Sequence, residues 1–311
     1  MLGAAGFVGR HTALALARRG YRVLGVGHGQ WTDHEWHRWG LSGWLEADIS
    51  IEALDRVTAD EEPVSIVHCG GSGAVSFSYT NPFSDFERAT QSTAAALEWI
   101  RLTGARRTRF VLVSSAAVYG DQGDFDVTEN YLRAPISPYG VHKAAAEALC
   151  ESYSRFFGVA SSIVRLFSVY GEGLRKQLLW DALNKFRRGE NQFFGTGNEL
   201  RDWIHVDDAA TLLTLASHKL QSTFEVFNGG AVHATTRQLL DGLACAYGHV
   251  GGIHFNGELH KGNPSRLTSD CGHATRLLNW APQVKLENGL ARYAAWFKSL
   301  PEAGGAGDRH D

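Results

Sequence analysis

Short apolar runs alternate with helical spacing through the first half of the chain. Residues 21–26, 64–68, 109–113 and 162–167 are rich in Val, Leu, Ile and Phe, the pattern of strands buried on both faces. Between them, 7–19, 80–102 and 138–157 carry the three-to-four spacing of helices, and Gly20 offers the first a C-cap. Strands separated by helices predict a parallel sheet covered on both sides, a doubly wound α/β architecture. Beyond Phe167 the order breaks up into glycines, short strands and helices near 174–188, 235–246 and 286–299. The pattern predicts one domain from 1–168 with 203–228, which returns to the main sheet. A smaller, mostly C-terminal substrate domain takes 169–202 and 229–300. The stretch 301–311 holds few apolar residues and is expected to be disordered.

Bulk numbers narrow the classes. Of 311 residues, 44% are hydrophobic and 20% charged, which suits a water-soluble chain with a full core. A net charge of -3 and the lack of a basic tract speak against nucleic acid as a partner. No apolar run approaches the ~20 residues of a membrane span. The first residues also lack the charged and apolar regions of a secretory leader. Cys69, Cys150, Cys245 and Cys271 are widely spaced, with no Cys-x-x-Cys, as expected of free thiols in a reducing cytoplasm.

Candidate chemistry sits where the helix at 138–157 begins. Tyr139 and Lys143 are four residues apart in Ser137-Pro138-Tyr139-Gly140-Val141-His142-Lys143, one turn apart on one face. Such pairs are common on surface helices and alone carry no chemistry. The run 109–113 leads into Ser114 and Ser115, which brings a hydroxyl toward the phenol. A phenol ordinarily titrates near ~10, and a neighbouring ammonium lowers that value. Ser115, Tyr139 and Lys143 together can then move a proton on and off a sugar or alcohol hydroxyl.

Gly3-Ala4-Ala5-Gly6-Phe7-Val8-Gly9 opens the first helix. Glycines at that spacing let the backbone turn tightly and approach a pyrophosphate held at the helix N-terminus, as in Rossmann-type dinucleotide sites. Two features depart from this pattern. Such a loop follows a central strand of about five residues, whereas only Met1 and Leu2 precede Gly3. The run 21–26 leads into Gly27-His28-Gly29, with no carboxylate to grip a ribose 2′-hydroxyl. His28 would not repel a 2′-phosphate, which tilts the expectation slightly toward NADP and leaves NAD open. Asp48 is placed to hydrogen-bond an adenine amine or, equally, to be a solvated strand end.

Taken in order, five segments resemble the NAD-dependent epimerase/dehydratase family of the extended short-chain dehydrogenase/reductase superfamily. They are Gly3-x-x-Gly6-x-x-Gly9, Ser114-Ser115-Ala116-Ala117-Val118-Tyr119-Gly120, Tyr139-x-x-x-Lys143, Arg165-Leu166-Phe167-Ser168-Val169-Tyr170-Gly171, and the stretch from Gly195 through Arg201 to Asp208. The resemblance spans nearly the whole chain. It implies a Rossmann-type domain, a bound nicotinamide cofactor (NAD or NADP) and a nucleotide-activated sugar as substrate. By position, it makes Tyr139 the acid/base, Lys143 the ribose anchor and Ser115 the partner of the reacting hydroxyl. Expected cofactor contacts are Gly3, Gly6, Phe7, Val8, Gly9, His28, Asp48, Ile49, Cys69, Gly70, Gly71, Tyr139, Lys143 and Phe167. Expected substrate contacts are Ser115, Ser168, Gln177, Leu178, Arg201 and Arg266, with no metal ion. Arg201 would meet the nucleotide pyrophosphate, a job suited to a fixed guanidinium fork; without the resemblance it reads as an ion pair with Asp202 or Asp207. Family members commonly dimerise through a four-helix bundle, here of the helices near 85–102 and 138–157.

Departures from the family pattern narrow the reaction. Ala116 and Ala117 stand where 4,6-dehydratases carry Asp-Glu, which disfavours elimination of water. Ser168 and Ala89 each replace a common asparagine. His260-Lys261-Gly262-Asn263 replaces Arg-Pro-Gly-Asp, with Arg266 as the substitute arginine. The leading expectation is a sugar-nucleotide epimerase acting through transient C4 oxidation. Its alternatives are an NADPH-dependent 4-keto-sugar-nucleotide reductase and, from another class, a non-catalytic dinucleotide-sensing protein. Trp31, Trp36, Trp39 and Trp44, with His28, His34 and His37, predict an amphipathic helix packing its indoles on the sheet edge, since no ligand set for a metal is complete. Asp207-Asp208 reads as a helix cap.

Overall fold

Two N-terminal residues, Met1 and Leu2, stand where the glycine loop asks for a strand. Leu2 N donates to Val67 O at 2.9 Å and Cys69 N to Leu2 O at 2.8 Å, while Gly3 N reaches Val26 O at 2.7 Å. Leu2 thus bridges Val26 on one side and His68 on the other, both in parallel. The central strand is this single residue, bridged on both sides, and it joins two pieces into one sheet. The computed structural model describes residues 1–59, 61–105, 107–219, 222–258 and 264–301. His260 through Asn263 and the tail beyond 301 lie outside the described residues.

In chain order the strands are β1 (Leu24–Gly27), β2 (Gly43–Glu46), β3 (Ser65–His68), β4 (Arg109–Ser115), β5 (Asp126–Val127), β6 (Ser161–Leu166), β7 (Ser168–Tyr170), β8 (Gln192–Phe193), β9 (Leu200–His205), β10 (Phe224–Gly229), β11 (Val232–Thr235), β12 (His254–Phe255) and β13 (Arg266–Ser269). The helices are α1 (Phe7–Ala17), α2 (Asp33–Arg38), α3 (Ile51–Thr58), α4 (Val75–Thr80), α5 (Pro82–Phe86), α6 (Ser92–Thr103), α7 (Pro138–Phe157), α8 (Gln177–Arg187), α9 (Val206–Ala216), α10 (Thr236–Tyr247), α11 (Gly272–Leu278) and α12 (Leu286–Ser299).

The main sheet runs β2-β1, then Leu2, then β3-β4-β6-β10, all parallel. Alternation along each strand fills two cores. On β4, Phe110 and Leu112 join Leu54, Leu97, Ile100 and Cys150 from α3, α6 and α7. Val111 and Val113 face the other way, toward Ala13, Leu212, Leu213 and Trp280 around α1 and α9. A second sheet has the order β11-β9-β13-β5, with β7 also on β9. Its core gathers Leu183, Trp203, Leu240, Leu290 and Tyr293 from α8, β9, α10 and α12.

Local chemistry sets the helix bounds. Helix α7 starts where Ser137 Oγ accepts Gly140 N at 3.2 Å and Pro138 fills the first position; it stops at left-handed Gly158. The helix expected at 80–102 is broken twice. Asn81 leaves the helical region (φ -135°), as a residue before proline tends to do. A π-helical turn then occupies Glu87–Gln91 before α6 begins. The tryptophan-rich stretch gives only a six-residue α2; Trp31 rests on Trp44 of β2 at 5.3 Å and Trp39 on His11 at 5.0 Å. The indoles therefore come from loop, helix and strand, not from one stripe. Asp207 and Asp208 lie in the first turn of α9, but its side-chain cap is His205, whose Nδ1 accepts Asp207 N at 3.2 Å. Among the described residues no helix is long and apolar enough to cross a membrane.

Candidate active site

The glycine loop and the end of β3 make one tightly apposed lip. Gly3 has φ 71°, and a Cβ there would come within 2.9 Å of Cys69 C and Gly70 N. A Cβ on Gly9 would overlap the Gly3 carbonyl oxygen, and one on Gly70 would meet Ile49 Cδ1 at 2.9 Å. Phe7 and Val8, both half-buried, continue from this lip into α1. Gly6 precedes α1 with no side-chain cap, and the first turn holds no acidic residue. That helix start is open to an anion. The shape and the donors fit a dinucleotide pyrophosphate.

Behind the lip, His68 is buried and Gly70 N donates to its Nδ1 at 3.1 Å. The ring proton therefore sits on Nε2, 2.9 Å from Ser92 Oγ. Burial, with Lys143 nearby, pushes His68 down to about 3. The neighbouring Cys69 thiol is pushed up to about 12 by burial, so it stays a neutral group.

At the ends of β1 and β2, His28 Nε2 lies 2.8 Å from Asp48 Oδ1, both side chains exposed. His28 follows β1 and Asp48 follows β2. A carboxylate therefore stands beside the end of β1, where the strand's own sequence offered none. It comes from the neighbouring strand, which corrects the ground for a tilt toward NADP.

Ser115, Tyr139 and Lys143 do converge. The Tyr139 side chain is half-buried, and Ser115 lies close enough to lower its phenol's value. Lys143, fully buried, donates to Val113 O at 2.9 Å, and its Nζ lies 6.0 Å from the Tyr139 ring centroid. The position of a Cβ on Gly71 would be 3.2 Å from that ammonium, so the turn and the glycine lip touch. The phenol's shift runs opposite to the lowering expected of an adjacent ammonium. Burial pushes the Tyr139 phenol up to about 12; the Ser115 hydrogen bond pulls the other way and Asp85 adds to the rise. Lys143 spends a proton on Val113 O and is itself lowered by burial, so it does not bring the phenol below its ordinary value.

The expected substrate residues are less gathered. Gln177 opens α8 with φ 68° and donates through Nε2 to Gly73 O at 3.2 Å; Lys176 Nζ donates to Ser72 O at 3.2 Å. The start of α8 is thereby tied across to the loop after β3. Leu178 packs on the second core and Ser168 sits on β7 opposite Trp203. Phe167 is buried near Tyr119. Arg201 donates to the carbonyls of Leu200 and Pro264 at 2.8 and 2.5 Å, while Asp202 accepts Ala231 N and Asp207 accepts Arg292. Arg266 pairs with Asp126 at 2.7 Å and donates to Thr268 Oγ1 at 3.0 Å. Asp85, His142, Ser72 and His68 were missed by the sequence reading, because their partners are distant in the chain.

Comparison with known proteins gives the family. The model of the NAD dependent epimerase/dehydratase family matches residues 1–230, and the chain belongs to that family. It is 27% identical over 310 residues to a UDP-glucuronate 4-epimerase of Thermodesulfobacterium geofontis, covering 95% of this chain and 94% of the relative. Among solved structures it is similar to the UDP-glucose 4-epimerase of Thermotoga maritima with UDP-glucose, at TM-score 0.85 and 27% identity, over 96% and 97% of the two chains. It is similar as well to the UDP-glucuronic acid 4-epimerase of Bacillus cereus in complex with UDP-glucuronic acid and NAD, at TM-score 0.85 and 25% identity, over 96% and 98%.

Proposed function

We propose that this protein is a sugar-nucleotide 4-epimerase that keeps NAD bound. The observation that carries the proposal is Ser115 at the end of β4 meeting Tyr139 and Lys143 on the first turns of α7, against the glycine lip, in a chain matched nearly end to end by UDP-sugar 4-epimerases. NAD, when bound, would supply the hydride acceptor. Tyr139 takes the C4 hydroxyl proton as the C–H electron pair leaves, and returns it after the keto sugar has turned over. Ser115 holds the reacting oxygen in line with the phenol. Lys143, fixed by Val113 O, is the group that would hold the nicotinamide ribose.

Ala116 and Ala117 follow Ser115 on a tight turn and offer no acid or base, so dehydration is not supported. A 4-keto-sugar reductase using NADPH draws on His28, and the Asp48 carboxylate 2.8 Å away weighs against a 2′-phosphate. We assign the cofactor to the first sheet with α9 and β10, and the sugar nucleotide to the second, with the crossing at the β9–α9 junction. Exposed Phe83 and Leu102, with Val141, Phe156 and Phe157 on α7, support a homodimer through a four-helix bundle. The four cysteines are free, in keeping with a reducing cytoplasm.

The test is product identity. Incubated with UDP-glucose or UDP-glucuronate, the protein is expected to invert C4 of at least one, read by proton NMR, with no net consumption of NADH or NADPH. Failure to invert either, or stoichiometric NADPH loss with a keto sugar, would overturn the proposal.

A further inference from the structure

We infer that Asp85 and His142 are a positioning pair for Tyr139, clamping its turn to the loop that follows the glycine lip. The inference rests on the Tyr139 chemistry proposed above. Asp85 belongs to α5 and is fully buried. One of its oxygens accepts from Ser72 Oγ, and the other lies 2.6 Å from His142 Nδ1. His142 stands on α7 between Tyr139 and Lys143, and Ser72 directly follows Gly71, which lies against Lys143 Nζ. A single carboxylate therefore joins the expected cofactor loop to the turn that carries both reactive side chains.

Neighbouring contacts reinforce the clamp. Tyr139 N donates to Ser78 Oγ at 3.0 Å, and Thr90 Oγ1 donates to His142 O at 3.0 Å. The segment 78–90 thus grips the first turn of α7 at three places. The π-helical turn Glu87–Gln91 directly follows α5, which carries Asp85, and such insertions cluster at functional sites. A buried carboxylate is costly unless hydrogen-bonded on both oxygens; here its donors come from two separate elements, so both are held in place.

The pair also has an electrostatic consequence. Tyr139 is faced by Ser115, by Asp85 and by Lys143 from its own helix. Lys143 is faced by Asp85, Cys69, Glu147 and His68. Phe86 meets His142 edge-on at 5.8 Å. Asp85 is the negative group opposing phenolate, and its removal favours ionisation of Tyr139 at lower pH.

The test uses NAD-loaded enzyme and the UDP-sugar that the wild type turns over. Steady-state rates are measured against pH for Asp85→Asn, His142→Asn, His142→Leu and Tyr139→Phe, with thermal midpoints alongside. Asp85→Asn is expected to lower kcat about tenfold with KM little changed, and to move the acidic limb of the kcat profile down by about one pH unit. His142→Asn keeps a donor where Nδ1 stood and is expected near wild type, whereas His142→Leu falls like Asp85→Asn. Should Asp85→Asn not fold, the two His142 variants decide the matter by themselves. An unshifted limb in folded Asp85→Asn, or His142→Leu as active as His142→Asn, overturns the pair. An active Tyr139→Phe enzyme sinks the reading of the site instead, which keeps the two failures apart.

Discussion

His68 makes the fold's acid sensitivity calculable. Its ring is fully enclosed, with Gly70 N donating to Nδ1 and Nε2 facing Ser92 Oγ, and that oxygen donates onward to Arg88 O. A second ring proton would oppose the Gly70 amide. The folded state therefore holds the ring neutral, with its value driven from 6.5 to about 3 by burial. A base depressed in the folded state contributes stability that is present above its unfolded value and lost as pH falls toward the folded one, here between 6.5 and about 3. Between pH 7 and pH 5 this one residue should remove about 2 kcal/mol. In His68→Asn the amide oxygen can still accept Gly70 N, but nothing titrates. Urea unfolding followed by circular dichroism at the two pH values measures the difference. The wild type is expected to lose about 2 kcal/mol more than the variant on acidification. Equal losses in both proteins would refute the buried neutral imidazole.

Two further expectations rest on the same coordinates. Gly9→Ala places a methyl onto the Gly3 carbonyl and should disturb the loop and weaken NAD binding by about 1–3 kcal/mol, whereas Gly6→Ala meets that oxygen at 3.2 Å and should disturb the fold less while still crowding the pyrophosphate; calorimetric titration with NAD beside thermal midpoints separates them. Glu147 is buried beneath Arg165, which donates to it at 2.7 and 3.0 Å, and Ser114. Glu147→Ala strands that guanidinium and should lower unfolding stability by about 3–5 kcal/mol, read by denaturant titration.

Much of this was legible in the chain because it is local. Ser137, Pro138 and Gly158 fix α7 by capping chemistry alone, and the apolar runs around Val111 and Ile163 could only be doubly covered strands. The glycine spacing pointed at a lip that Gly3 and Gly9 do form by close approach. What escaped is non-local. A strand of one bridged residue has no periodicity, so Leu2 could not be recognised before its partners Val26 and His68 were in place. The π-helical turn at Glu87–Gln91 shifts spacing by a single residue within an otherwise helical pattern. His28 and Asp48 belong to two different strand ends, and Arg201 turns to backbone carbonyls that no side-chain motif records. The direction of the Tyr139 shift depended on how deeply α7 is packed, which spacing does not report.

The central chemical assignment rests on one phenolic oxygen, and Tyr139→Phe removes only that atom. Single-turnover C4 inversion by the NAD-loaded variant, beside its affinities for NAD and UDP-sugar, is the most direct measurement. The expected result is a rate lower by about a thousandfold or more with both affinities close to wild type. C4 inversion at the wild-type rate would contradict the assignment of Tyr139 as the group that moves the proton.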